Sequence, residues 1–245
     1  MAAALLLLSV NCFAQAYPES EAAAAWRALA SSYVRQALKD RTVDRDPVLN
    51  ARVDAVMAAV GAAVAAVDGR YAGATWRAIL IEDFGHGAAA FPGQTILLDA
   101  KFVRRLQLGD AELALVLAHE AAHVLAGHGL EKLSFMAEVA GREKLPTASA
   151  ALREFLAQDS YALAFQPKAR LQEREADRLG AAIFFAAGYD APRALALFDK
   201  LAKLESSEER RNPGSHEPAA VRKQAVAQVI AELQRLHAAR SPGER

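Results

Sequence analysis

His119, Glu120 and His123 stand in the order His-Glu-x-x-His inside Gly109 to Gly127, GDAELALVLAHEAAHVLAG. Ala and Leu dominate this stretch and favour helix. On a helix the two histidines lie about 40° apart around the axis and roughly 6 Å apart along it. Both imidazoles can then reach one metal ion from the same face. Glu120 falls about 60° from His123, beside the ion rather than on it. A carboxylate there can take a proton from a water that the metal makes acidic. Two histidines flanking a glutamate on an apolar helix need such a partner, because burying ionisable groups without compensation is costly.

A two-histidine site needs a third protein ligand, with a fourth position left open for chemistry. Arg170 to Gly180 reads RLQEREADRLG and supplies Glu173, with Asp177 one turn later. Glu173 is the expected third ligand. Asp177 is expected to accept from the free ring N–H of a ligating histidine and so set its tautomer. Glu175 points away and reads as surface. His86 lies in a glycine-rich connection and also reads as surface. His128, nine residues past His119, faces the opposite side of a continued helix, so it reads as a capping or outer residue and not a ligand. His237 lies near the end of the sequence and reads as solvent-exposed.

The elements that must position these groups follow from hydrophobic period and punctuation. Glu19 to Lys39 carries Trp26, Leu29, Tyr33 and Leu38 at helical spacing. Asp46-Pro47 reads as a cap followed by proline at the first helical position, opening a helix that stops at Asp68-Gly69. Trp76 to Glu82 and Gln94 to Leu98 are β-rich and close in sequence, which predicts a hairpin with an irregular connection over Asp83 to Gly93. Pro92 suits an edge, since it donates nothing to a ladder. Such an edge beside the histidine helix offers backbone pairing to an extended peptide. Lys101 to Leu108 predicts a short helix or turn, and Asp110 a cap for the histidine helix. Leu130 to Gly141 and Ala148 to Ala164 read as helices, Ser160 to Lys168 as a flap, and Arg170 to Gly188 as the Glu173 helix. Asp190 with Pro192 opens another helix. Glu205 to His216 is a charged loop, and Pro218 to His237 a last helix. Tyr161 and Tyr189 are candidate oxyanion donors.

Composition bounds the rest. Among 245 residues, 29 Lys and Arg balance 29 Asp and Glu, and nothing recommends nucleic acid as a partner. Met1 to Ala16 has an apolar run and Ala14-Gln15-Ala16, and reads as a signal peptide over residues 1–16, although no Lys or Arg precedes the run. The expected destination is the periplasm or beyond. The lone Cys12 lies inside that leader, so the ligands must be histidine and carboxylate. No later segment offers 18 uninterrupted apolar residues, so no transmembrane segment is expected after the leader. Residues 17–240 read as one domain, mostly helical α+β, with its core over about 75–225.

Several motifs together resemble a known family. HEAAHVLAGH at His119 to His128, EREADRLG at Glu173 to Gly180, AGYD at Ala187 to Asp190 and AAFPG at Ala89 to Gly93 are similar to the HtpX and CAAX prenyl protease type I family of zinc endopeptidases. The resemblance implies a zincin-like domain with a small antiparallel sheet or hairpin beside the active-site helix. It implies one Zn2+ on His119, His123 and Glu173, with Glu120 catalytic and Asp177 behind the ligands. The family's late Ser/Thr-His-Pro has its counterpart in Ser215-His216-Glu217-Pro218, with a Glu inserted, making His216 a second catalytic candidate that either assists the oxyanion or covers the metal. The absence of spanning helices resembles the short secreted BepA/LoiP-like branch, which implies polypeptide substrates, among them unfolded or outer-membrane proteins. Two alternatives remain: a zincin-fold chaperone or binding protein with little proteolysis, and a metal-dependent hydrolase of a non-peptide substrate.

Overall fold

A computed structural model describes residues 16–205 and 216–240. The leader reading and most of the 205–216 loop, Ser215 included, lie outside them. Three strands form one mixed sheet: β1 (Arg77–Ile81), β2 (Ala88–Phe91) and β3 (Thr95–Asp99), in the order β1-β3-β2. The domain is therefore mostly helical α+β with a small sheet, as expected, but the pairing differs from a simple hairpin. The two β-rich segments read as a hairpin, β1 and β3, run parallel in register Arg77 to Thr95. The hairpin is formed by β2 and β3, from the stretch taken for irregular connection. A run of three alanines carries little strand propensity; the strand forms because its backbone pairs with Ala89 opposite Leu97 and Ala90 opposite Ile96.

β3 is the central strand and is buried on both faces. Its alternation sends Ile96 and Leu98 into one apolar cluster and Leu97 into another. The first cluster lies among the long helices α2 (Pro47–Val67), α4 (Asp110–Leu125), α7 (Asp159–Ala186), α8 (Ala191–Ala202) and α9 (Ala219–Arg240). The second lies among α1 (Glu19–Asp40), α5 (His128–Ala140) and α6 (Ala148–Ala157). The short α3 (Ala100–Arg105) follows β3 directly. The outer edge of β1 is taken by an isolated bridge to Val43 and by Glu82 N–H donating to Thr42 O at 2.7 Å. β2 is the other edge.

Helix starts largely follow the predicted caps. Asp46 accepts from Val48 and Leu49 N–H at α2, and Asp190 from Arg193 N–H at α8. α2 is long and apolar enough to cross a membrane, and one face of it, including Val53, Val56, Val60 and Val64, packs into the first cluster. The histidine helix starts one residue earlier than expected. Gly109 is its cap, and Glu112 reaches back to accept the Gly109 N–H at 2.8 Å while Asp110 faces Arg52 at 3.1 Å. The expected flap over Ser160 to Lys168 is instead the opening of α7, a continuous helix of 28 residues with Pro167 inside. Proline removes one donor from such a helix. Phe165 anchors this segment nonetheless, buried with its ring edge-on to Phe135 and Phe155 at 5.1 and 5.8 Å.

α4 and α7 meet at Gly180. A Cβ there would stand 2.9 Å from His119 Cα and 3.0 Å from His119 N, which are backbone atoms that cannot rotate aside. We expect Gly180→Ala to force the helices apart at the cost of about 1–3 kcal/mol. Because His119 and Glu173 sit on opposite sides of this crossing, metal affinity should fall more than stability does. Metal titration alongside thermal melting measures both; unchanged metal affinity would refute the role given to the close approach.

Candidate functional site

The crossing of α4 and α7 brings the three predicted ligands together. His119 Nε2 lies 3.1 Å from His123 Nε2 and 3.2 Å from Glu173 Oε2, and His123 Nε2 lies 3.6 Å from Glu173 Oε1. All three side chains are largely buried. Donor atoms on a tetrahedral zinc at bond lengths of about 2.1 Å stand roughly 3.4 Å apart. The observed separations bracket that value. Glu173 Oε2 is buried with no aligned donor, although two imidazole nitrogens face it, so an unsatisfied acceptor waits at the focus of the group. The residues present fit a metal ion of zinc's preferences.

His216, just before α9, joins the cluster from a third direction. Its Nε2 is 2.9 Å from Glu173 Oε2 and its ring centroid 6.3 Å from that of His119. Donor atoms of His119, Glu173 and His216 also lie within 4.8 Å of one another, so a second triad overlaps the first. The first is the better ligand set. His123 is fixed on the same helix as His119, whereas half of the His216 side chain is exposed.

Each helix histidine is backed by its own arm. His119 Nδ1 stands 3.0 Å from Asp177 Oδ1, off the line of an ideal hydrogen bond but within reach of a small ring rotation. Arg222 of α9 clamps that carboxylate with both ends of its guanidinium, at 2.9 and 2.7 Å. His123 Nδ1 lies 2.8 Å from His128 Nδ1, and His128 Nε2 lies 3.5 Å from Glu175 Oε2. Glu175 therefore contacts the histidine cluster rather than solvent alone. The reason is Gly127, whose φ of +73° breaks the helix and turns His128 back toward His123. A continued helix would have sent His128 to the opposite side.

The charges reflect these neighbours. Burial disfavours charge on His119, but Asp177 and then Glu173 outweigh it and raise its pKa to about 9. Burial takes His123 down to about 4, against the pull of Glu173. Burial would raise the Glu173 pKa, yet the imidazoles of His119, His123 and His216 hold it well below the carboxylate range. Burial acts likewise on Asp177, and the Arg222 hydrogen bonds with the nearby His119 ring bring it to about 2. Glu120 is raised by burial, with His119 opposing. The His119–Glu173 pair thus carries a proton at neutral pH between atoms that face each other as metal ligands would.

Around this cluster opens a cavity of about 690 Å³, bordered on one side by Ala88, Ala89 and Phe91 of β2 and on the other by Leu115, Leu197, Phe198 and Leu201. The Ala90 amide faces the Glu120 carboxylate. Of the tyrosines proposed as oxyanion donors, Tyr161 packs beside α5 and α6 and Tyr189 against Phe184, and neither lines the cavity. His86 is exposed at its rim, edge-on to Phe84. Arg222 had no signal in the sequence: an arginine one turn into an ordinary helix is unmarked until the helix is docked.

The family model of peptidase family M48 matches residues 47–237, which span all of these groups. No curated protein matches the chain.

Proposed function

The chain belongs to peptidase family M48, and from that premise we propose that it is a zinc-dependent endopeptidase acting on unfolded or misassembled polypeptides of the bacterial envelope, like the short secreted BepA/LoiP-like branch. The observation that carries this reading is the convergence of His119, His123 and Glu173 at tetrahedral-ligand spacing, with Glu120 beside them in the cavity. These three side chains would hold the zinc. When bound, zinc supplies Lewis-acid polarisation of the scissile carbonyl and brings a water's pKa toward about 7.

Glu120 takes a proton from the attacking water and returns it to the leaving amine. Its burial, which raises its affinity for a proton, suits it to hold one between the two transfers. Asp177, clamped by Arg222, keeps the His119 ring turned toward the site. β2 offers its edge to an extended chain, and this favours a peptide over a compact small molecule. Chelation is expected to abolish hydrolysis of denatured casein, and zinc to restore it. Chelator-resistant cleavage would exclude the reading.

Zinc binding should depend on pH with a definite sign. The His119 pKa of about 9 means that the metal-free site holds a proton that zinc must displace at neutral pH. Apparent affinity should therefore rise by up to about tenfold per pH unit between about pH 6 and pH 8, with about one proton released per zinc. Calorimetry in buffers of different ionisation enthalpy counts that proton. No release at pH 7 would contradict the charge state assigned to His119.

His216 bears on a second reading. With its Nε2 at 2.9 Å from Glu173, the same ring that can donate to an oxyanion could instead complete a four-ligand, closed metal site and leave a binding protein with little proteolysis. We favour the oxyanion role because half of the side chain is exposed toward the cavity. His216→Ala should then lower kcat by about 10²–10³-fold with zinc content unchanged. A variant more active than the parent would establish the closed-site reading in its place.

A further inference from the structure

Lys132 of α5 is a cation on the wall of the cavity that the chemistry above does not use. Its Nζ lies 5.7 Å from the ring centroid of Trp26, 5.2 Å from Phe155 and 5.7 Å from Phe165, so three aromatic faces surround it. Among the described residues no carboxylate pairs with it and no hydrogen bond from it is made, although other lysines on the same molecule find acids, as Lys200 does with Glu112 at 2.6 Å. The neighbouring Glu131 is engaged by Gln172 at 2.7 Å. Burial lowers the Lys132 pKa, and Glu173 is the charge that opposes this.

A long flexible side chain has no need to leave its ammonium in a half-buried wall when water is one rotamer away. Aromatic faces stabilise a cation there by about 0.5–2 kcal/mol. They cannot supply the hydrogen-bond acceptors that an ammonium carries three donors for. The ammonium is thus held among rings on the half-buried cavity wall with no protein acceptor for its three donors, and an anion arriving with the occupant of the cavity would complete it.

Its location says which anion. Lys132 and Trp26 line a pocket of about 300 Å³ together with His119, Glu120, His123 and Glu173. Trp26 in turn packs against Phe91, the last residue of the edge strand β2, at 6.2 Å. The same pocket is lined by Ala88 to Phe91, so a chain laid along β2 passes both the ammonium and the histidine–glutamate cluster. We propose that Lys132 is a specificity-determining residue that binds a carboxylate of the polypeptide near the bond to be cut, either an acidic side chain or the chain terminus. The proposal rests on the peptidase reading for its occupant, and its test is made by binding so that the two can fail separately.

The test uses N-acetylated octapeptides, each with a single Glu placed at successive positions and a Gln counterpart, all C-amidated, plus one Gln peptide whose C-terminal carboxylate is free. Dissociation constants are measured by calorimetry on zinc-loaded Glu120→Gln protein, so that no turnover intrudes. One Glu position, or the free terminus, should bind at least about tenfold more tightly than its neutral partner. That advantage should vanish in Lys132→Met, which keeps the stem and removes the charge, while affinity for the neutral peptides is kept. Equal binding of Glu and Gln peptides at every position, with no gain from a free terminus, overturns the proposal, and so does an advantage that survives Lys132→Met. The comparison within the parent needs no substitution at Lys132 and stands even where the variant folds poorly. Wild-type protein that binds with this preference but cleaves none of the peptides would refute the peptidase reading and leave the carboxylate site in place.

Discussion

Glu120→Gln should leave zinc content unchanged and reduce peptide hydrolysis by about 10²–10⁴-fold, the range expected when a positioned general base is lost. Glutamine matches glutamate in shape, so the packing of α4 against β2 is retained. The amide can accept a hydrogen bond from water but cannot take its proton. The three candidate ligands are untouched, and their mutual distances of 3.1 to 3.6 Å are set by helix α4 and its crossing with α7. The effect should appear in kcat with KM little altered, because the substrate's contacts along the cleft remain. Elemental analysis with steady-state kinetics on one denatured substrate reads both quantities. Residual activity near that of the parent, with metal present, would remove Glu120 from the mechanism.

Arg222→Ala is the second large effect, and it falls on stability as much as on activity. Arg222 and Asp177 are both mostly buried, so little solvent screens their pairing. Removing the guanidinium leaves the buried carboxylate with only the poorly aligned His119 ring as partner, which costs up to about 3–5 kcal/mol. In a chain of this size that corresponds to roughly 6–20 °C in melting temperature. The sign of the pH dependence identifies the cause. Asp177 has its pKa depressed to about 2, so the pair stabilises the parent fully above the ordinary aspartate range and loses this as pH falls through about 4 to about 2. The variant should show a smaller decline, because His119 still lowers the Asp177 pKa after the guanidinium is gone. His119, no longer backed by a clamped carboxylate, should also hold zinc about 10–100-fold more weakly. A variant that melts like the parent would show that the pair contributes nothing net.

The residues of the candidate metal site were legible because ligand chemistry demands particular types at particular local spacings. His119 and His123 share a face by helix geometry alone, and that relation survives any docking of the helix. Asp46-Pro47 and Asp190 with Pro192 were legible for a similar reason, since a cap acts within four residues of itself. Glu173 and Asp177 were a step harder. One turn apart, they share a face of their own helix, but only the motif company of His-Glu-x-x-His suggested that this face meets the other.

What the sequence by itself determined is therefore local: helices, most caps, and which side chains lie together on one element. The tertiary structure alone decided four further matters, each resting on atoms distant in the chain or on a single backbone angle. The sheet is mixed because Ala88–Phe91 finds its partner in β3, a gain that alanine's weak strand propensity does not announce. His128 reaches His123 because Gly127 adopts a left-handed φ of +73°, which ends one helix and aims the next. Arg222 meets Asp177 across 45 residues, and Lys132 finds its aromatic faces on α1, α6 and α7. Period and propensity report a residue's own turn or strand. They are silent on which face of one helix is pressed against which face of another, and that pressing assembles the cleft.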